Sequence, residues 1–271
     1  MDRPRRGAPR IVVVRAVAAA LVALASAASA RAQVQPFVFT VTTLPAADGS
    51  RLGVRYDAGY AERTAPVFGY DGLEQRLAAQ AALGAGFTLV AEAGVGLGGD
   101  NGTGSVLEAE LLKDVLATVS GLRIAVGGGV RREWSGSATL LARASLGRAG
   151  ERSLLFGNLR LEKAFETGRD AVDLITSLGW NYRVGGALQL GVEALGEDLE
   201  GFWDPQEAEG GARLFVGPSV HWAPPGRKLQ ASLAGGPIVH ATRSPRTSDA
   251  SRPLGASANG WSVRASLGWA F

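Results

Sequence analysis

The 271-residue chain has no cysteine, and its one methionine is residue 1. Disulfide frameworks, thiolate metal sites and thiol chemistry are therefore excluded. Aromatic residues make up only 7% of the chain. Past residue 32 there is no run of the roughly 18 consecutive apolar residues that a membrane-spanning helix needs. A bundle of membrane helices is thus excluded, although 46% of residues are hydrophobic and mean hydropathy is +0.09. Those bulk values fit either a soluble domain or a β-barrel.

What is present begins with a distinct amino-terminal segment. Arg3, Arg5, Arg6 and Arg10 precede an apolar run from Ala16 to Ala28, and small residues close it. A basic start, a short apolar stretch and an Ala-x-Ala end read as a secretory signal peptide over 1–32, with cleavage after Ala30 or Ala32. The first 32 residues hold six arginines and one aspartate. The remainder then carries 22 basic and 24 acidic residues, a net charge of −2. The pI of 9.6 belongs largely to the leader. No basic cluster survives its removal, so nucleic acid is not expected as a partner.

Beyond the leader the dominant signal has period two. In Gly260 to Phe271, one face reads Trp261, Val263, Ala265, Leu267, Trp269, Phe271 and the other Ser262, Arg264, Ser266, Gly268, Ala270. Successive strand side chains point to opposite faces, so one face is apolar and the other polar or small. The same split recurs at Leu122–Arg131, Val172–Arg183, Leu188–Ala194 and Arg213–Trp222. This predicts twelve strands near 51–61, 73–83, 87–97, 104–116, 122–134, 138–149, 152–165, 171–184, 187–203, 210–223, 227–243 and 260–271. Their lengths of about ten residues suit a tilted strand that crosses a bilayer. Alternate connections are short and mostly rich in Gly or Pro, such as Gly84-Ala85-Gly86 and Pro224-Pro225-Gly226. The others are mostly long, such as Glu62–Gly72 and Ser244–Asn259. Short turns at one end and long loops at the other are the asymmetry of a membrane barrel.

Aromatic residues give a third test. Trp134, Trp203 and Trp261 map to the long-loop ends of strands, and Trp180, Tyr182, Trp222, Trp269 and Phe271 to the short-turn ends. Two interfacial girdles are expected. The fold class read from these patterns is all-β, a closed antiparallel transmembrane β-barrel of about twelve strands over 51–271. Residues 33–50, with the strand-prone Phe37-Val38-Phe39-Thr40-Val41, form a lead-in, a plug or an extra strand. A secreted β-sandwich is the competing fold; it would need both apolar faces buried between sheets.

The last strand, Ser262-Val263-Arg264-Ala265-Ser266-Leu267-Gly268-Trp269-Ala270-Phe271, resembles the carboxy-terminal signature of bacterial outer-membrane β-barrels. That resemblance covers about ten residues, the length of one such strand. It implies location in the outer membrane of a Gram-negative bacterium, contact with its lipid and lipopolysaccharide, and assembly by the barrel assembly machinery with Phe271 as the signal. It points to no particular family.

If the apolar face meets lipid, parity assigns the other face to the lumen. The pore-lining candidates are Glu92, Glu108, Glu110, Asp114, Arg123, Arg131, Arg143, Arg160, Arg183, Glu193, Arg213, His221 and Arg264. Acidic residues gather on the third and fourth predicted strands, basic ones on the fifth and sixth. Either these charges face each other across water as a transverse field, or they pair across the barrel and close it. Lumen glycines at 94, 96, 127, 129, 179, 191, 217, 236 and 268 favour open space; strand curvature and close aromatic neighbours are the other explanation. The favoured function is a narrow passive channel for small hydrophilic solutes, and the alternative is a closed structural or surface-binding barrel.

An outer-membrane lipid hydrolase is the third possibility. Ser219 and His221 share a face, but that face is the lumen, and no third group orients them. No catalytic residue, cofactor or metal is expected. Glu197, Asp198, Glu200, Asp204, Glu207 and Glu209 suggest an acidic external rim around Phe202 and Trp203, either solvated or holding divalent cations against lipopolysaccharide phosphates.

Overall fold

The computed structural model describes residues 37–38, 41–42, 52–64, 68–98, 102–118, 121–132, 136–165, 172–203, 211–242 and 259–271. Two very short strands, β1 (Phe37–Val38) and β2 (Val41–Thr42), pair only with each other. Twelve longer strands follow: β3 (Leu52–Glu62), β4 (Gly72–Gly84), β5 (Phe87–Leu97), β6 (Thr103–Ala117), β7 (Leu122–Arg132), β8 (Ala138–Ala149), β9 (Ser153–Ala164), β10 (Asp173–Arg183), β11 (Leu188–Glu197), β12 (Arg213–Trp222), β13 (Leu229–His240) and β14 (Gly260–Ala270). Each pairs antiparallel with its neighbour in sequence, and β14 returns to β3 through partners such as Leu267 and Tyr56. The ring is a closed barrel with no free edge. Closure leaves no edge to be satisfied, as a sheet in hydrocarbon requires, although the β12–β13 ladder is interrupted between Phe215 and Ser219, where Pro218 and Pro237 fall.

The burial pattern is inverted relative to a soluble protein. Along β5 the exposed positions are Phe87, Leu89, Ala91, Ala93, Val95 and Leu97, and between them Thr88, Val90, Gly94 and Gly96 are buried. Arg55, Asp57, Glu74, Glu110, Arg143 and Glu162 are buried, while Leu73, Leu77, Leu107, Leu178 and Leu267 are exposed. Lipid replaces water outside, so the apolar face needs no second sheet. That disposes of the sandwich.

The connections alternate as the sequence predicts. After β4 the chain turns through Ala85 and Gly86, both in the left-handed region, with φ of 50° and 76°. Long connections follow β3, β9, β11 and β13 at the opposite end. Trp180, Tyr182, Trp222, Trp269 and Phe271 stand exposed near the short-turn end. At the long-loop end Trp261 leans on Tyr60, ring centroids 5.4 Å apart, and its Nε1 donates to Glu62 Oε2 at 3.2 Å. Trp134 lies outside the described residues, as do Asp204, Glu207 and Glu209. The charges on the lipid face, Lys113, Arg132 and Lys163, sit near strand ends, where their stems can reach the interface.

One predicted strand is corrected. The span 187–203 ends as a strand at Glu197. Asp198 takes a left-handed conformation (φ 52°), and Leu199–Phe202 form a single 3-10 turn. The left-handed residue breaks the ladder, so Trp203 lies beyond the turn, not at a strand end. The acidic rim is corrected for the same reason. Glu197 and Asp198 are buried, with Glu197 on the lumen face, whereas Phe202 and Trp203 are exposed.

Candidate functional site in the barrel lumen

The lumen face of β14, β3, β4 and β5 carries three arginines and three carboxylates. Arg55 Nε donates to Asp57 Oδ2 at 2.8 Å, and Arg55 Nη2 to Glu92 Oε2 at 3.4 Å. Arg76 joins Glu92 (2.6 Å) to Glu74 (2.5 Å), and Arg264 Nη2 donates to Glu74 Oε1 at 2.7 Å. A second network of the same stoichiometry covers β6 to β9. Glu162 accepts from Arg131 Nη1 at 2.9 Å and from Arg160 Nε at 2.6 Å. Arg160 Nη2 also reaches Glu108 Oε2 at 3.2 Å, and Arg143 binds Glu110. Each network is neutral within itself, so acidic and basic residues do not form opposed walls with a field between them. The lumen adopts neither sequence reading: the charges pair along the wall between nearby strands, not across water as a transverse field and not across the barrel to close it.

The pairings pass over glycines. Arg264 on β14 reaches Glu74 on β4 by passing over Gly59, its register partner on β3. A Cβ on Gly59 would lie in ordinary contact with Arg264 Nε, at 3.5 Å, whereas one on Gly129 would meet Glu110 Cγ at 2.7 Å. Arg143 on β8 likewise reaches Glu110 on β6 across β7, where its register partner is Gly127 and that of Glu110 is Gly129. Ser219 Oγ on β12 donates to Asn181 Oδ1 on β10 at 3.3 Å across Gly191 of β11. The reading of these glycines as open pore space is corrected: they are floors over which neighbouring side chains lie. Gly96 seats the Tyr70 ring and Gly179 the Phe156 ring.

The arc from β10 to β13 differs in character. At its long-loop end Ile175, Leu195, Phe215 and Ile238 form an apolar patch inside the barrel, and Leu195, Phe215 and Ile238 are direct register partners. Phe68 completes this cluster and is 1% exposed. It comes from the loop between β3 and β4, so that loop folds into the mouth. Tyr70 follows it inward, its backbone N–H donating to Glu74 Oε2 at 2.7 Å. Burial, with the Asp71 carboxylate beside it, pushes the Tyr70 phenol above its ordinary pKa and keeps it neutral. The sequence places this connection among the outward loops. Ala65-Pro66-Val67-Phe68-Gly69-Tyr70, an apolar and aromatic run inside a connection, is the available signal.

The remaining candidates also face inward. Arg213 lies 3.9 Å from Glu197, and His221 Nε2 lies 3.3 Å from Glu193 Oε1. Asp114 is buried beside a β-bulge between Asp114 and Leu116, while Arg123 and Arg183 lie at the short-turn end. Ser219 and His221 are thus each engaged with different partners, Asn181 and Glu193. His240 pairs in register with Arg213 at the opposite end of the barrel. No metal-suited cluster of His, Asp and Glu occurs among the described residues.

A closed twelve-strand antiparallel barrel with lipid-compatible walls and a charged interior defines a transmembrane barrel of the bacterial outer-membrane type. Comparison with solved structures agrees. The chain is similar to the NanC porin, with a TM-score of 0.56 and 10% identity over 80% of this chain and 98% of that one. It is also similar to the KdgM porin, with a TM-score of 0.54 and 11% identity over 81% of this chain and 99% of that one. KdgM also matches in its complex with disordered oligogalacturonate, with a TM-score of 0.53, 12% identity and 81% and 99% coverage. At these identities the likeness establishes the shared fold. No family model and no curated protein matches the sequence.

Proposed function

We propose that the chain is an outer-membrane channel through which small hydrophilic solutes pass passively along a narrow lumen. The observation that carries this reading is the inversion of the barrel: arginines and carboxylates are turned inward on eight neighbouring strands, while the outer wall is apolar. A barrel selected only as a membrane anchor has no need of twelve charged groups inside. Because the two networks are neutral, the pore has low ion selectivity. The chain reaches the outer membrane after loss of residues 1–32, with lipid and lipopolysaccharide around its girdles and the assembly machinery reading Phe271.

The test is single-channel recording in planar bilayers on protein whose gel mobility shifts on boiling. Small, ohmic steps with a reversal potential near zero in a salt gradient are expected. Silence from folded protein would overturn the channel and favour the closed, surface-binding reading, for which the insertion of Phe68 is the supporting observation. No catalytic role is assigned to Ser219 or His221. A lipid-cleaving activity lost in His221→Ala would reverse that assignment.

A further inference from the structure

The β1–β2 ladder stands apart from the barrel, yet β1 runs beside β9. In the ring, β9 is six strands from β3 in either direction, so it lies across the barrel from the strand to which the ladder is tethered. Only residues 43–51 link β2 to β3. Fully extended, that tether reaches at most about 36 Å. Twelve strands about 4.8 Å apart and tilted about 40° enclose a barrel about 25 Å across between backbones. Half a turn around the outside, clear of the side chains, is about 55 Å on the same geometry. The tether spans the barrel but does not go round it. A climb through lipid to the far end of β9 would leave both edges of a two-stranded ladder unpaired in hydrocarbon, which the bilayer does not allow.

A second observation comes from β9 itself. Phe156 faces the lumen, and its ring lies back on the wall over Gly179. Its other register partner is Gly147. A ring lying over Gly179, with a glycine as its other register partner, in a lumen of this width is open to water unless something stands over it. Phe156 is 4% exposed.

We infer that the segment bearing β1 and β2 enters the lumen, rests on the inner face of β9 and obstructs the pore. The location rests on topology, reach and the cover over Phe156; the obstruction rests on the channel reading. The absence of cysteine makes the test direct. In the chain from Gln33, Val38→Cys is combined in turn with Leu154→Cys, Phe156→Cys or Asn158→Cys on the lumen face, and with Leu155→Cys or Leu159→Cys on the lipid face. A short bis-maleimide is then applied to the protein folded in vesicles. Cross-linking to lumen partners only is expected. Capture by the lipid-facing pair, or by neither face, overturns the location. In parallel, conductance is compared between the chain from Gln33 and a chain starting at Arg51, both checked for the boiling-sensitive mobility shift. A severalfold larger conductance without the segment is expected. Equal conductance overturns the obstruction. If both chains are open, the channel reading survives; if both are silent, it falls as well, while the cross-links still report where the segment lies.

Discussion

Glu162 shows what a single lumen residue does. It accepts hydrogen bonds from both Arg131 and Arg160 and is almost wholly buried. Glu162→Gln keeps the shape and removes the charge, leaving two guanidinium groups partly uncompensated. Breaking a buried pair by neutralising one member costs about 3–5 kcal/mol. Urea-induced unfolding in vesicles should show a loss of that order. The same variant should move the reversal potential toward anion preference, because one negative charge is gone from beside two arginines. A neutral stability change would show that water reaches the network freely. Lumen parity was legible in the sequence for every charged residue in these networks. Which carboxylate each arginine binds was not, because Arg160 on β9 and Glu108 on β6 are 52 residues apart and meet only through curvature of the wall.

Single elements carry the membrane argument. Leu111 lies near the middle of β6 on the lipid face, and Thr103 lies at its end. Arginine at the bilayer midplane of a barrel costs about 2–4 kcal/mol, falling to about 0–1 near the interface. Leu111→Arg should therefore lower folding stability in vesicles strongly and Thr103→Arg little; equal effects would mean that β6 is not a spanning strand. The β3–β4 loop gives a functional counterpart. In the chain starting at Arg51, where the amino-terminal segment no longer obstructs the pore, Phe68→Ala removes the ring from the Ile175, Leu195, Phe215 and Ile238 cluster and should raise conductance severalfold while the boiling-sensitive mobility shift is kept. Unchanged conductance would place the narrowest point elsewhere. Strand positions were readable from period-two alternation. The early end of β11 was not, because nothing in Glu197-Asp198-Leu199 announces a left-handed aspartate. The inward fold of Phe68 was missed for a related reason: a loop has no periodicity to say which way it turns.

At the scale of the whole molecule, pairing along the wall keeps the lumen charges largely buried against one another, beside the path the solutes take. The Debye length falls from about 10 Å at 0.1 M salt to about 3 Å at 1 M, but groups sheltered from solvent are screened far less than exposed ones. The unfolding midpoint in vesicles should therefore change little between these salt concentrations. A steep fall would mean that the networks are bathed in mobile ions and that the lumen is wide.

The number of barrel strands, their length except at the end of β11, the inward and outward faces and the two kinds of connection were determined by the sequence alone. Each is local: a period of two, a run of about ten residues set by bilayer thickness, and a glycine or proline at a turn. The tertiary structure decided the rest. Closure of β14 onto β3 brings Arg264 to Glu74, the glycine floors let charges pair over an intervening strand, and the far side of the ring receives Phe68 from the β3–β4 loop. Those features depend on distances between strands remote in sequence, and such distances exist only once the sheet has curved round and met its own edge.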